Sequence, residues 1–210
     1  MKLLLATRNP KKLDELRRIL SPLLTVEVLG LDDVPPYDEV PETGATFTDN
    51  ALLKAREAVR HTGMVSVADD SGIAIDALNG MPGVLSARWA GARKSDAANL
   101  QLVLEQLADT PDERRGAAFV CVAALVTPSG VGGSSGVVGS SGVETVVAGQ
   151  MPGRVVREPR GSNGFGYDPI FVADGKDVTN GELPPAEKDA ISHRGKALRG
   201  LAPHIAAAFG

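Results

Sequence analysis

Short apolar runs of strand length alternate with capped, helix-spaced segments along the whole chain, and this alternation constrains the fold more than any other feature. The run Lys2 to Ala6 reads as a buried strand. Asn9 is a good N-cap and Pro10 a good first helical residue, with Leu13, Leu16 and Leu20 at helical spacing behind them. A second helix opens at Thr46, with Asp49 three residues on as a capping box, and runs to Gly63. Val65 to Ala68 reads as a strand ending in Asp69-Asp70-Ser71-Gly72, and Gly72 to Leu78 as a further strand. Ser95 caps a helix carrying Leu100, Val103, Leu104 and Leu107, and Ala117 to Thr127 is a long strand. Val143 to Val156 reads as one or two strands broken around Met151-Pro152-Gly153, and Pro169 to Ala173 as a strand after a glycine-rich turn. Ser192 caps a last helix with Leu198, Leu201, Ile205 and Phe209 on one side. Such mixing predicts an α/β chain with a mixed β-sheet.

With 210 residues, 43% hydrophobic and 23% charged, the chain suits one domain or two tight lobes around a sizeable core. The formal charge of −4 argues against a general nucleic-acid binder. The lone cysteine, Cys121, excludes an intramolecular disulfide framework and reads as a small buried hydrophobe in AAFVCVAALV. No apolar run reaches the length of a membrane span, and MKLLLATRNPKK does not read as a signal peptide, so a cytoplasmic protein is expected. Residues 130–142 are Gly/Ser-rich, with near-tandem GSSGV copies, and read as a flexible hairpin loop rather than a phosphate loop.

Four segments carry polar residues that folding alone does not require. In Thr7-x-Asn9-x-x-Lys12-x-x-Glu15 a strand feeds a helix N-terminus, a ready anion site. Lys12 in the first turn is disfavoured by the helix dipole unless an anion joins it; a solvated lysine on a capped helix is the open alternative. Pro41-Glu42-Thr43-Gly44 precedes the helix bearing Asn50 and Lys54, where Lys54 edges the stripe of Phe47, Ala51 and Ala58 and can snorkel to water or point into a cleft. Asp69 and Asp70, adjacent at a strand end, should repel unless a metal or donors neutralise them. Hard oxygen ligands there suit Mg²⁺, which takes one or two carboxylates plus phosphate oxygens. In Gly161 to Pro169, the glycines around Phe165 and Tyr167 would let a flat ligand approach the backbone. Asp168 could accept from a base N–H and His193 or Arg194 could donate to a base carbonyl, both in a first helical turn free to face a cleft.

Thr7-x-Asn9-x-x-Lys12-x-x-Glu15, PETGATFTDNALLKA, ADDSG, SARWAG (Ser86 to Gly91), GFGYDPIF and SHRGKAL occur in this order. Together they resemble the inosine triphosphate pyrophosphatase family, in particular its bacterial members acting on dITP and XTP, from Lys2 to Phe209. Asp49 stands where that family more often has Glu, and the 130–142 segment is unusual for it. The resemblance implies a long mixed sheet flanked by helices, two lobes with an active cleft between them, and a homodimer. It implies Mg²⁺-dependent cleavage of deaminated purine nucleoside triphosphates (dITP, ITP, XTP) between the α and β phosphates, which cleanses the nucleotide pool. On this resemblance Thr7, Asn9, Lys12 and Lys54 take the phosphates, and Glu42 and Asp70 hold Mg²⁺. Asp70 also takes the proton of the attacking water, Asp69 supports it, and Ser71 touches substrate. Phe165 stacks on the base, Gly166 and Tyr167 also bind substrate, and Asp168, Lys188, His193 and Arg194 lie around the base edge and the sugar–phosphate. The expected partner is a small nucleotide, with no nucleic acid and no membrane. A catalytically silent nucleotide sensor would lack the carboxylates Glu42, Asp69 and Asp70; a nucleotidyltransferase would form an adduct with a second substrate.

Overall fold

A computed structural model describes residues 1–38, 40–129 and 142–210. Six strands form one mixed sheet: β1 (Lys2–Leu5), β2 (Glu27–Leu29), β3 (Ser66–Ile75), β4 (Gly116–Val126), β5 (Glu144–Val155) and β6 (Phe171–Ala173). Their order is β2-β1-β3-β4-β5-β6. β1 is parallel to β2 and to β3, with Leu4 opposite both Leu29 and Ser66, whereas β5 and β6 are antiparallel with Val155 opposite Phe171. The expected α/β class with a mixed sheet and flanking helices is the observed one. Its helices are α1 (Pro10–Leu20), α2 (Phe47–Thr62), α3 (Asp96–Gln106), α4 (Pro185–Ile191) and α5 (His193–Ala207).

The chain divides into two compact units, one of residues 1–70, 122–148 and 194–210, the other of 71–121 and 149–193. In the first, β1 is buried on both faces, as a parallel strand with continuous apolar sequence should be. Leu4, Ala6, Ala68, Val122, Ala124 and Val126 pack with Ala51, Ala55 and Ala58, a small-residue stripe along α2. Leu16 and Leu20 of α1 and Leu198, Leu201 and Ile205 of α5 are fully buried. In the second unit Ile73, Ile75, Phe119, Met151, Val155 and Phe171 form a core with Leu100, Val103 and Leu107 of α3. Cys121 is buried, as its apolar run predicts.

Local capping rules place the helices. Asn9 accepts from the N–H groups of Lys11 and Lys12, and Pro10 opens α1. Thr46 and Asp49 complete the capping box of α2, which ends at left-handed Gly63, and Ser95 caps α3 through the Ala98 N–H.

Three expectations are corrected. The Asp69-Asp70-Ser71-Gly72 segment is not a strand end: β3 runs unbroken through it for ten residues. Gly72 serves packing instead of a turn, because a Cβ there would collide with Ser86 Oγ and the Gly83 carbonyl. β5 likewise continues through Met151-Pro152-Gly153 as one strand. Finally, the last helix α5 opens after an extended Ser192, as expected, but an unexpected seven-residue helix α4 precedes it, closed by the Ser192 N–H donating to Lys188 O. The expected hairpin loop at 130–142 lies, apart from Gly142, outside the described residues. No helix among the described residues is long and apolar enough to cross a membrane.

Candidate active site

The first unit gathers the phosphate and metal candidates around β3. Successive strand residues point to opposite faces, so Asp69 and Asp70 have separate environments although they are neighbours in sequence. Asp69 is buried and its Oδ2 accepts from Lys12 Nζ at 3.1 Å and Arg194 Nε at 3.2 Å. Burial alone would raise its pKa; the cations of Lys12, Arg194 and Lys54 outweigh that and hold it well below the usual carboxylate range. Arg194 also donates through Nη1 to Glu15, which α1 buries on the same face as Lys12, three residues away. Lys12 is thus neither a solvated lysine nor held by the helix end alone: a carboxylate is its partner.

Asp70 is buried less completely. Its Oδ2 accepts from Asn50 Nδ2 at 3.1 Å, and its Oδ1 lies 3.5 Å from Lys54 Nζ. Burial is the largest influence and raises its pKa; Lys54, Lys12 and the Asn50 amide oppose this and Glu42 adds to it. Lys54 Nζ donates to Glu42 Oε1 at 2.8 Å, so one ammonium joins Glu42 and Asp70. Burial disfavours that ammonium, but Asp70, Asp69 and Glu42 prevail and raise its pKa. Lys54 therefore does not snorkel to water: its ammonium is paired with Glu42 and Asp70.

Asn50, which sequence reasoning noted without assigning it to the site, fixes this corner. Its Oδ1 accepts from Gly44 N at 2.8 Å while its Nδ2 holds Asp70, so the Pro41 to Gly44 segment is tied to the carboxylate it precedes. Thr7 Oγ1 accepts from Asn9 N at 3.2 Å, which tightens the entry to α1. The N–H groups of Lys11 and Lys12, expected as an open anion site, are already met by Asn9 Oδ1.

Carboxylate oxygens suit a hard cation, and Glu42 and Asp70 share one already in Lys54. Among the described residues no group of three or more His, Cys, Asp or Glu side chains is arranged to hold a metal ion. Two carboxylates are what Mg²⁺ commonly takes from a protein, so Glu42 and Asp70 would fit one.

The second unit gathers the base candidates. Gly164 and Gly166 have φ of +74° and +61°, and a Cβ on Gly164 would run into Asp168 Oδ2. That oxygen accepts from Phe165 N at 2.9 Å and Lys188 Nζ at 2.7 Å, and Asp168 Oδ1 from Asn180 Nδ2 at 3.2 Å. The Lys188 ammonium also lies 5.2 Å from the half-buried Phe165 ring, a cation–π arrangement that steadies it. Gly166 N donates to Asp96 Oδ2 at 3.1 Å, so the N-terminus of α3 pins the turn from outside. Tyr167 is structural: buried, with its hydroxyl pKa raised chiefly by burial and then by Asp96, it donates to Ser86 O at 2.8 Å. Ser86, the first residue of SARWAG, accepts from Ile73 N and so brackets β3 to the aromatic turn. Trp89 of the same motif packs on the core and donates to Gln106 Oε1.

Ser71 follows Asp70 on β3, half exposed. His193 and Arg194, consecutive on α5, have separate partners. His193 is buried and stacks on Phe119. Arg194 departs from the expectation of a fork free to face a cleft: it is 2% exposed and held by Glu15 and Asp69. Neighbours on a helix project about 100° apart. The residues that sequence reasoning left without a role are therefore Glu15, Asn50, Asp96, Phe119 and Asn180. Glu15 and Asn50 had local signals, spacings of three from Lys12 and four from Lys54.

One unit carries a carboxylate–lysine cluster and the other an aromatic turn braced by Asp168 and Lys188, within an α/β fold with a mixed sheet. The chain belongs to the Ham1 family, whose model matches residues 3–204. It is 60% identical to a dITP/XTP pyrophosphatase of Nocardia farcinica over 98% of this chain and 95% of that protein. A crystal structure of a nucleoside-triphosphatase, dITP/XTP pyrophosphatase, from Mycobacterium abscessus is 60% identical, with TM-score 0.74 over 97% of this chain and 100% of that one. The Staphylococcus aureus Ham1 protein structure is 35% identical, with TM-score 0.81 over 98% of each chain.

Proposed function

We propose that this protein hydrolyses deaminated purine nucleoside triphosphates, dITP, ITP and XTP, between the α and β phosphates. The products are the monophosphate and pyrophosphate, and the cellular role is to clear such nucleotides from the pool. The observation that carries this reading is the cluster on β3, where Lys12 and Lys54 flank two buried aspartates of different character. Phosphoryl transfer depends mainly on positioning and charge neutralisation, and lysines beside carboxylates supply both.

Asp70 is the residue suited to take the proton of the attacking water: it is buried beside Lys54 and Asn50, and burial raises its pKa from the ordinary aspartate value. Asp69, held ionised by Lys12 and Arg194, supports the cluster and aims Lys12. Lys12, Lys54, Thr7 and Asn9 engage the phosphates, and Ser71 contacts substrate beside Asp70. Glu42 and Asp70 would hold Mg²⁺, which supplies charge neutralisation on the phosphate oxygens when bound. Lys54, which now joins those two carboxylates, would then be released to the phosphates.

Phe165 offers its face to the base; Asp168 accepts from a base N–H and Lys188 braces both. His193 donates to the 6-keto oxygen, where adenine presents a donor instead. The protein works in the cytoplasm as a homodimer. The test is a panel of nucleoside triphosphates with Mg²⁺, assayed for monophosphate and pyrophosphate. Rapid turnover of ITP and XTP over ATP is expected; equal turnover of all purine triphosphates would refute the substrate reading.

A further inference from the structure

We propose that Phe119 is a specificity-determining positioning residue, its ring fixing the plane of the His193 imidazole and so aiming the donor that distinguishes a 6-keto purine from adenine. The proposal rests on the reading above that His193 faces the base.

A histidine does not fix its own plane. Its terminal torsion joins an sp³ to an sp² carbon and is broad and roughly two-fold. Its N–H groups lie in the ring plane, and a hydrogen bond weakens steeply once the angle at hydrogen falls below about 120°. A recognition histidine therefore needs something flat against it. In this protein the Phe119 and His193 centroids are 4.8 Å apart with planes 12° from parallel. Phe119 is itself held edge-on by Phe171, with centroids 4.7 Å apart at 65°. Phe171 is fully buried at the start of β6.

The same stack leads back to the other base candidate. Phe171 follows directly on the turn Asp168–Ile170, and its carbonyl accepts from Asn180 N while Asn180 Nδ2 bonds Asp168. One packed set of side chains thus sets both the Asp168 acceptor and the His193 donor. Phe119 is not needed merely as bulk: Leu or Met would fill an apolar site on β4 but would present no flat face.

The experiment compares Phe119→Leu, or Phe119→Met should the leucine variant not fold, with Phe119→Tyr and His193→Ala. The kcat/KM ratio for ITP over ATP is measured for each, with NMR of the imidazole C–H of His193, one of three histidines in the chain. Phe119→Leu is expected to move the His193 resonance downfield, as the ring current of the stacked phenyl is lost. It should also lower the ITP/ATP ratio by roughly 5- to 10-fold, the share of one net hydrogen bond, with ATP turnover nearly unchanged. Phe119→Tyr should keep both properties. If Phe119→Leu moves the resonance but leaves the ratio within twofold while His193→Ala lowers it, the positioning role is overturned and the base reading stands. An unmoved His193 resonance in Phe119→Leu also overturns the positioning role. If His193→Ala itself leaves the ratio unchanged, the reading of His193 at the base fails, and this proposal with it.

Discussion

Asp69 sits among cations and Asp70 among groups that only partly offset its burial, so the pKa of Asp69 is lowered and that of Asp70 raised. For Asp69 the folded pKa lies below the unfolded one, so its contribution to stability is full above the unfolded carboxylate value and is lost as pH falls through the folded one. Asp69→Asn should therefore destabilise the protein at neutral pH, by about 3–5 kcal/mol for breaking a buried pair, and by less in acid. For Asp70 the folded pKa lies above the unfolded one, so its contribution is full below the unfolded value and lost as pH rises through the folded one. Asp70→Asn should leave the protein as stable as the parent or more so at neutral pH, with any gain shrinking in acid. Urea denaturation at neutral pH and at about pH 3, below the ordinary aspartate pKa of about 3.9, reads both trends. Parallel pH trends for the two variants would contradict the assignment.

At the scale of elements, the helices were legible because capping is local: Asn9, Thr46 and Ser95 each act within three residues. The continuity of β3 was not. Asp-Asp-Ser-Gly has turn chemistry, and what keeps it in a strand comes from afar: Asp69 meets Lys12 and Arg194 at sequence separations of 57 and 125, and Asp70 meets Asn50 at 20. The seven-residue α4 was hidden because its start is two prolines and it abuts α5 without a loop. Gly72→Ala tests β3 directly. Its new methyl meets Ser86 and the Gly83 carbonyl, which should cost roughly 1–3 kcal/mol by overpacking, about 2–4 °C of Tm per kcal/mol in a chain of this size. An unchanged Tm would mean that the bracket from Ser86 to β3 yields freely. On α5, Arg194→Ala should cost about 3–5 kcal/mol, because Glu15 and Asp69 lose their shared buried cation. That loss should be less than additive with Asp69→Asn, the two being in contact. Full additivity in denaturation would contradict the network.

Across the whole molecule, the motifs were legible as candidates and in their order, since each is a local string. It could not show which side chains pair. The clearest case is Arg194: the position after His193 in a first helical turn suggested an open guanidinium, and the fold instead buries it against two carboxylates. Lys54 ran the other way, its edge position on α2 being undecided until Glu42 and Asp70 were placed beside it. The account that joins these pairings is a pyrophosphohydrolase centred on Asp70. It is tested most directly by ³¹P NMR of the products of ITP with Mg²⁺, for the parent and for Asp70→Asn at equal folded concentration. The prediction is inosine monophosphate and pyrophosphate in equal amounts from the parent, and no turnover above background from Asp70→Asn. Inosine diphosphate with free phosphate, or near-parental turnover by Asp70→Asn, would contradict it.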